Sequence, residues 1–185
     1  PQRESDSSLT FFIPYAVVML FYITIFGSAS LLLSSVATEK QNRTIEILMT
    51  SVTPLEMLTG KIIALGIAGL IQTVFWTGCG VLIMKMSGGI FNFSEAFQIP
   101  PSLIAWGGVF FLLGYAMYGA LMAGIGALVP NLRESGSATM VVVIPLVIPL
   151  MFINALAEEP SGIVSTVLSL FPLTAPVTMM GRLSA

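Results

Sequence analysis

Charged side chains are scarce in this sequence. Only 9% of its 185 residues are charged and 56% are hydrophobic, whereas a soluble domain carries about a quarter charged residues. Five stretches contain no charge: residues 7–38, 62–84, 96–132, 135–157 and 160–181. Each is long enough to cross a bilayer, which takes roughly 20 apolar residues of helix. The composition disfavours a soluble core and predicts an all-α integral membrane protein built as a polytopic helical bundle.

Histidine is absent and cysteine occurs once, at Cys79. These two facts exclude His-based nucleophilic catalysis, His-ligated zinc, a disulfide within the chain and a cysteine metal cluster. The net charge of -2 gives no basic footprint for nucleic acid. A phosphate-binding loop is also absent, because Gly60-Lys61 is followed by Ile62 and lacks the earlier glycine. We therefore expect no catalytic residue, no metal site and no cofactor in this chain.

Ionisable residues are missing from the interior of every predicted span. Ion-coupled transporters usually carry such residues in the membrane despite their cost, since they form the coupling site. Their absence disfavours a transporter that powers itself. An ion-coupled secondary transporter whose ionisable residue lies on a span outside this sequence, and a non-transporting membrane scaffold or assembly factor, remain as alternatives.

The apolar stretches predict four spans, at residues 9–37, 54–84, 102–129 and 136–157. The third contains small residues four apart, which allow helices to approach closely in lipid, either within the chain or at a dimer seam. These residues are Gly119, Ala120, Ala123 and Gly124. The fourth contains Pro145 and Pro149, which predict a kink that serves either packing or a hinge motion.

The last apolar stretch, residues 160–181, is broken by Pro172 and Pro176. The two arms of about eleven and five residues, at about 1.5 Å per residue, are too short to cross a core of ~30 Å. A re-entrant or surface-lying segment is therefore preferred to a kinked span. We expect residues 1–8 to end an extracytoplasmic region and residues 182–185, with Arg182, to begin a further span.

The segment from Glu39 to Lys61 holds three of the seven basic and three of the nine acidic residues. On a helix over residues 39–52 the charges share one face and the apolar residues the other, which predicts an amphipathic helix on the membrane surface. The charged face holds Glu39, Lys40, Arg43 and Glu46, and the apolar face holds Ile45, Leu48, Met49 and Val52. Alternating spans place four basic residues on this side and three on the other, which indicates the cytoplasmic side.

The second span has a clear start signal. Thr53, Pro54 and Glu56 form the pattern of a capping box with proline at the first helical position. We expect these residues, with Gly60 and Lys61, to cap and anchor the span.

The same segment resembles the coupling region of type-2 permeases of ATP-binding-cassette (ABC) transporters. That region reads Glu-Lys, then Thr-x-Glu-x-Leu, then Ser-x-x-Pro, then Leu-x-Gly-Lys before a span. The matching residues are Glu39, Lys40, Thr44, Glu46, Leu48, Ser51, Pro54, Leu58, Gly60 and Lys61. The tail over residues 170–183 is similar to the proline-broken outer segment of that family. The branch that the chain resembles most includes sodium-extruding permeases and multidrug and peptide exporters.

The resemblance implies the permease subunit of an ATP-driven exporter in the plasma membrane of a prokaryote. Two permease halves, identical or different, would pair in the bilayer, and a separate ABC ATPase would hold ATP and Mg²⁺. It also implies a missing first span with an outer domain and a missing last span. The residues expected to face the ATPase are Glu39, Lys40, Arg43, Thr44 and Glu46. The apolar face of the same helix would pack on the bundle and lipid.

Overall fold

A computed structural model describes residues 2–42, 50–86, 101–129 and 132–185, most of which are helical. The helices are α1 (Gln2–Gln41), α2 (Pro54–Met86), α3 (Pro101–Leu128), α4 (Leu132–Met151), α5 (Ile153–Glu158), α6 (Ile163–Leu170) and α7 (Ala175–Ser184). No strand occurs among the described residues. Helices α1 to α4 are each long and apolar enough to cross a membrane. The all-α polytopic fold that the composition predicts is confirmed.

The core is formed mainly by α1 and α3, which pack in parallel. Their buried residues recur every three or four positions, so each helix presents one continuous stripe to the other. The stripes are Val18, Phe21, Ile25, Ala29 and Leu33 on α1, and Phe111, Tyr115, Tyr118 and Met122 on α3. Leu146 of α4 and Val177 and Met180 of α7 complete this cluster.

Glycines on α3 fix the register of this pair. A methyl group placed on Gly114 would lie 2.9 Å from Cδ1 of Ile25. One placed on Gly126 would lie 3.0 Å from the carbonyl oxygen of Leu33. Because larger side chains at these positions would push the helices apart, the glycines allow the close approach that packing in lipid requires.

Helix α2 runs antiparallel to α1 and α3 and is buried along one narrow face. A methyl group on Gly66 would lie 2.9 Å from Cε1 of Tyr115, whose hydroxyl donates to the carbonyl of Ile62 at 2.9 Å. A methyl group on Gly69 would lie 2.5 Å from Oγ of Ser28. The opposite face, with Ile63, Ile67, Ile71 and Val74, is exposed and is apolar enough to lie against lipid.

The ends of the predicted spans differ from those observed. Helix α1 begins at Gln2, so the described part of residues 1–8 is helical, and it continues through Glu39 to Gln41. The fourth span, predicted to reach residue 157, is divided by a turn at Phe152 into α4 and α5. The division follows Pro145 and Pro149, each of which removes one main-chain donor from the last turns of α4.

The proline-broken segment forms the short helices α6 and α7. These arms have 8 and 10 residues, whereas the sequence predicted about eleven and five. The break covers residues 171–174 and includes Pro172, but Pro176 lies in the first turn of α7. Proline is well tolerated there, because the first turn makes no use of its missing N–H group. Arg182 and the residues after it lie in the same helix up to Ser184.

Candidate coupling site

Glu39 joins α1 to α2 at one end of the bundle. It lies in the last turn of α1, and its carboxylate accepts a hydrogen bond and ion pair from Nζ of Lys61, in the second turn of α2. The two side chains are largely buried, with exposed fractions of 23% for Glu39 and 17% for Lys61. Breaking a partly buried ion pair by removing one residue is destabilising, because the remaining partner keeps an uncompensated charge.

Lys40, the next residue, joins α1 to α3. Its Nζ donates to the carbonyl oxygen of Ala127 at 2.6 Å and to that of Val129 at 3.2 Å. The last carbonyls of a helix lack donors within the helix and carry its partial negative charge, so an ammonium group there is stabilising. Lys40 therefore caps the end of α3 from a neighbouring helix.

The start of α2 has the reciprocal hydrogen bonds of a capping box. The main-chain N–H of Thr53 donates to Oε2 of Glu56 at 2.9 Å, and the N–H of Glu56 donates to Oγ1 of Thr53 at 3.3 Å. Pro54 is the first residue of the helix. The turn before it and Glu56 line an open depression on this surface. A methyl group on Gly60 would meet nothing within 4 Å, so this glycine is not required by packing here.

Much of the predicted amphipathic helix lies outside the described residues. This applies to Arg43, Thr44, Ile45, Glu46, Leu48 and Met49. Of the remaining residues, Glu39 and Lys40 belong to the last turn of α1, and Val52 is exposed in a bend just before α2. The structure therefore brings both ends of the 39–52 segment to the same end of the bundle, where α3 also ends.

The small residues of α3 face two directions. Gly119 and Ala123 lie against α1, where Ala123 packs with Leu32 and Val36. Ala120 and Gly124 are exposed, and a methyl group on Gly124 would meet nothing within 4 Å. Gly126, where an added methyl group would meet the main chain of α1, is not among the four small residues chosen from the sequence, although it follows Gly119 by seven residues and so shares its face.

Arg182 binds the two arms of the proline-broken segment together. Its Nε donates to the carbonyl of Pro160 at 2.5 Å, and one of its terminal nitrogens donates to the hydroxyl of Ser169 on α6. In the break between the arms, the hydroxyl of Thr174 donates to the carbonyls of Leu168 and Phe171. Sequence reasoning missed Ser169 and Thr174, since a hydroxyl beside a helix break is the only local signal that they give.

Comparison with known proteins yields one family and two relatives. A profile described as "ABC-2 family transporter protein" matches residues 2–185. The chain is 27% identical over 181 residues to the uncharacterised protein MJ1024 of Methanocaldococcus jannaschii and 28% identical over 194 residues to the uncharacterised protein YhaP of Bacillus subtilis. Each alignment covers 98% of this chain but only 43% and 45% of the respective relative, so the chain spans less than half the length of either. No solved structure gives a significant match.

Proposed function

The chain belongs to the ABC-2 family of transporter proteins, and we propose that it is the permease part of an ATP-driven exporter. Family membership and four apolar helices make it a multi-pass membrane protein and part of a transmembrane ABC transporter subunit. The finer proposal is that it forms part of the translocation path and is driven by a separate ABC ATPase, which holds ATP and Mg²⁺. The plasma membrane of a prokaryote is the proposed location.

One observation supports the coupling role above others. The last turns of α1 and α3 and the first turns of α2 lie together where the predicted coupling segment, residues 39–52, meets the bundle. The contacts that join them are the Glu39–Lys61 ion pair and the hydrogen bonds from Lys40 to Ala127 and Val129. A push applied to the segment between α1 and α2 at this end therefore reaches a packed set of spans. Such an arrangement suits a subunit that receives movement from a partner on the cytoplasmic side.

The residues proposed to contact the ATPase are Arg43, Thr44 and Glu46. Glu39 and Lys40 share the charged face predicted for the segment, but both charged groups already have partners in the bundle. The carboxylate of Glu39 is paired with Lys61 in a partly buried position, and the exposed ammonium of Lys40 donates to carbonyls at the end of α3. The apolar residues Ile45, Leu48 and Met49 are proposed to face the bundle and lipid. The open depression lined by residues 50–54 and Glu56 offers a concave surface beside this segment. A second permease half, identical or different, is proposed to complete the path.

The test is co-expression of the full-length protein with the ABC ATPases of its own genome. We expect one of them to co-purify with the permease and to hydrolyse ATP faster in its presence. Reversing two charges, in Arg43→Glu with Glu46→Lys, should weaken both effects, whereas Ser161→Arg at the opposite end should change neither. If no ATPase binds and the purified protein moves a solute in response to an ion gradient, the protein is a secondary transporter and the proposal is wrong.

A further inference from the structure

We propose that Glu39 and Lys40 are positioning residues that make α1, α2 and α3 move as one body at the coupling end, the end of the bundle where α1 and α3 end and α2 begins. On this view they do not dock the ATPase. They transmit a displacement of the coupling segment to α3. This helix is not adjacent to the coupling segment in sequence. The inference rests on the proposed function, and it adds a role for two residues that the family resemblance assigned to the ATPase-facing surface.

The geometry of the two residues is the first support. Neighbouring residues on a helix point about 100° apart, so the last turn of α1 reaches a different helix with each side chain. Glu39 holds α2 through Lys61, and Lys40 holds α3 through two carbonyl oxygens. Both links act at the turn from which the chain leaves α1 for the coupling segment.

The chemistry of the Lys40 contact is the second support. Its ammonium meets carbonyls at the end of α3 that have no donors from their own helix, and 87 residues separate Lys40 from Ala127. Along the chain, α3 is joined to the coupling segment only through the whole of α2 and the connection that follows it. Lys40 therefore provides a direct polar route to α3 that bypasses the length of the second span.

Apolar packing between α1 and α3, next to the Lys40 contacts, makes the inference testable by mutation. One to two turns before Lys40, Leu33 and Val36 of α1 lie against Gly126. This apolar contact remains when the ammonium is removed, so a Lys40 variant is expected to keep the bundle folded. Its effect should be confined to the last turn of α1 and the end of α3, where coupling is proposed to act.

The first measurement needs no ATPase. The full-length protein, with Cys79→Ala and any other cysteine removed, is reconstituted in lipid nanodiscs with spin labels at Gln41 and Leu128, which are both exposed. We expect a narrow distance distribution that broadens in Lys40→Met and narrows again in Lys40→Arg. Thr38→Met, an exposed change on the same helix, is the control. An unchanged distribution in Lys40→Met would overturn the inference.

The second measurement uses the complex with the ATPase. Lys40→Met should lower the permease-stimulated kcat of ATP hydrolysis by about tenfold, within the usual range for linked sites. The Kd for the ATPase and the KM for ATP should stay within about twofold, a change too small to be a lost docking contact. Glu39→Lys and Lys61→Glu should each lower kcat, and the double exchange should restore much of it.

The outcomes separate the inference from the proposed function. A weaker Kd with an unchanged kcat in the bound complex would show that Lys40 docks the ATPase, and the inference would be wrong while the function stands. If the wild-type protein stimulates no ATPase, the proposed function fails. The spin-label distances then decide by themselves whether Lys40 fastens α3.

Discussion

The hydroxyl of Tyr118 donates a hydrogen bond to the main-chain carbonyl of Leu173. Tyr118 lies in the buried stripe of α3 and is 1% exposed, and Leu173 lies in the break between α6 and α7. A carbonyl released by a helix break inside a membrane protein needs a donor from elsewhere, because lipid offers none. The core of the bundle thus supplies the partner that the proline-broken segment lacks.

We predict that Tyr118→Phe destabilises the protein and loosens this segment. Loss of a hydrogen bond that leaves one buried group unsatisfied costs about 1–3 kcal/mol, so thermal unfolding in nanodiscs should occur at a lower temperature. Limited proteolysis should cut more readily near residues 171–174. Tyr15→Phe, at a position 45% exposed, is the control. Equal effects of the two changes would contradict the assigned role of Tyr118.

Two glycines of α2 should respond oppositely to alanine. A methyl group on Gly69 would lie 2.7 Å from Cζ of Phe111, whereas one on Gly80 would meet nothing within 4 Å. Overpacking costs about 1–3 kcal/mol, while alanine in place of glycine favours a helix by about 1 kcal/mol. Gly69→Ala should therefore lower the free energy of unfolding, and Gly80→Ala should raise it slightly. Chemical denaturation of the two variants in mixed micelles measures both, and a Gly69→Ala variant as stable as Gly80→Ala would argue against the packing of α2.

Arg182 and Ser169 should be energetically coupled. The guanidinium of Arg182 bridges Ser169 and the carbonyl of Pro160, so Arg182→Met should destabilise the α6–α7 arms more than Ser169→Ala does. A double-mutant cycle on thermal unfolding is expected to give a coupling free energy of about 0.5–3 kcal/mol, the range for residues in contact. Strictly additive effects would mean that this contact contributes nothing.

The cap of α2 gives a local prediction. Thr53→Ala removes the hydroxyl that accepts from the N–H of Glu56, so the first turn of α2 should open more often. Hydrogen exchange of the amides of residues 55–58 should become faster, because a helix without its cap frays. Thr53→Ser retains the acceptor and should behave like the wild type. Equal exchange rates of these amides in Thr53→Ala and Thr53→Ser would contradict the capping role of the Thr53 hydroxyl.

The existence of the spanning helices and the start of α2 could be predicted from the sequence, because both depend on residues that are close together in the chain. Apolar stretches of some 20 residues predict spans, and Thr53 and Glu56 lie only three residues apart. The predicted first span ends at residue 37, whereas α1 continues to Gln41, since residues 38–41 contain no glycine or proline that would stop a helix. The absence of these residues also explains why α1 is one continuous helix up to Gln41.

Contacts between residues that are distant in the chain could not be predicted from the sequence. Gly66 and Gly69 pack tightly while Gly78 and Gly80 on the same helix do not, and nothing in the local sequence separates them. Lys40 is exposed, as expected for a surface charge, but its hydrogen bonds to Ala127 and Val129 could not be predicted because those carbonyls lie at the end of another helix. The amphipathic pattern of residues 39–52 remains a prediction, since most of it falls outside the described residues.

The side of the membrane that carries the Glu39–Lys61 end tests the central claim most directly. A single cysteine at Ser51, in the full-length cysteine-free protein, is treated with a membrane-impermeant maleimide on intact and on permeabilised cells. A cysteine at Ser161, at the opposite end, serves as the reference. The account predicts that Ser51→Cys reacts only after permeabilisation and Ser161→Cys reacts in intact cells. Reaction of Ser51→Cys in intact cells would place the coupling end outside and contradict the account.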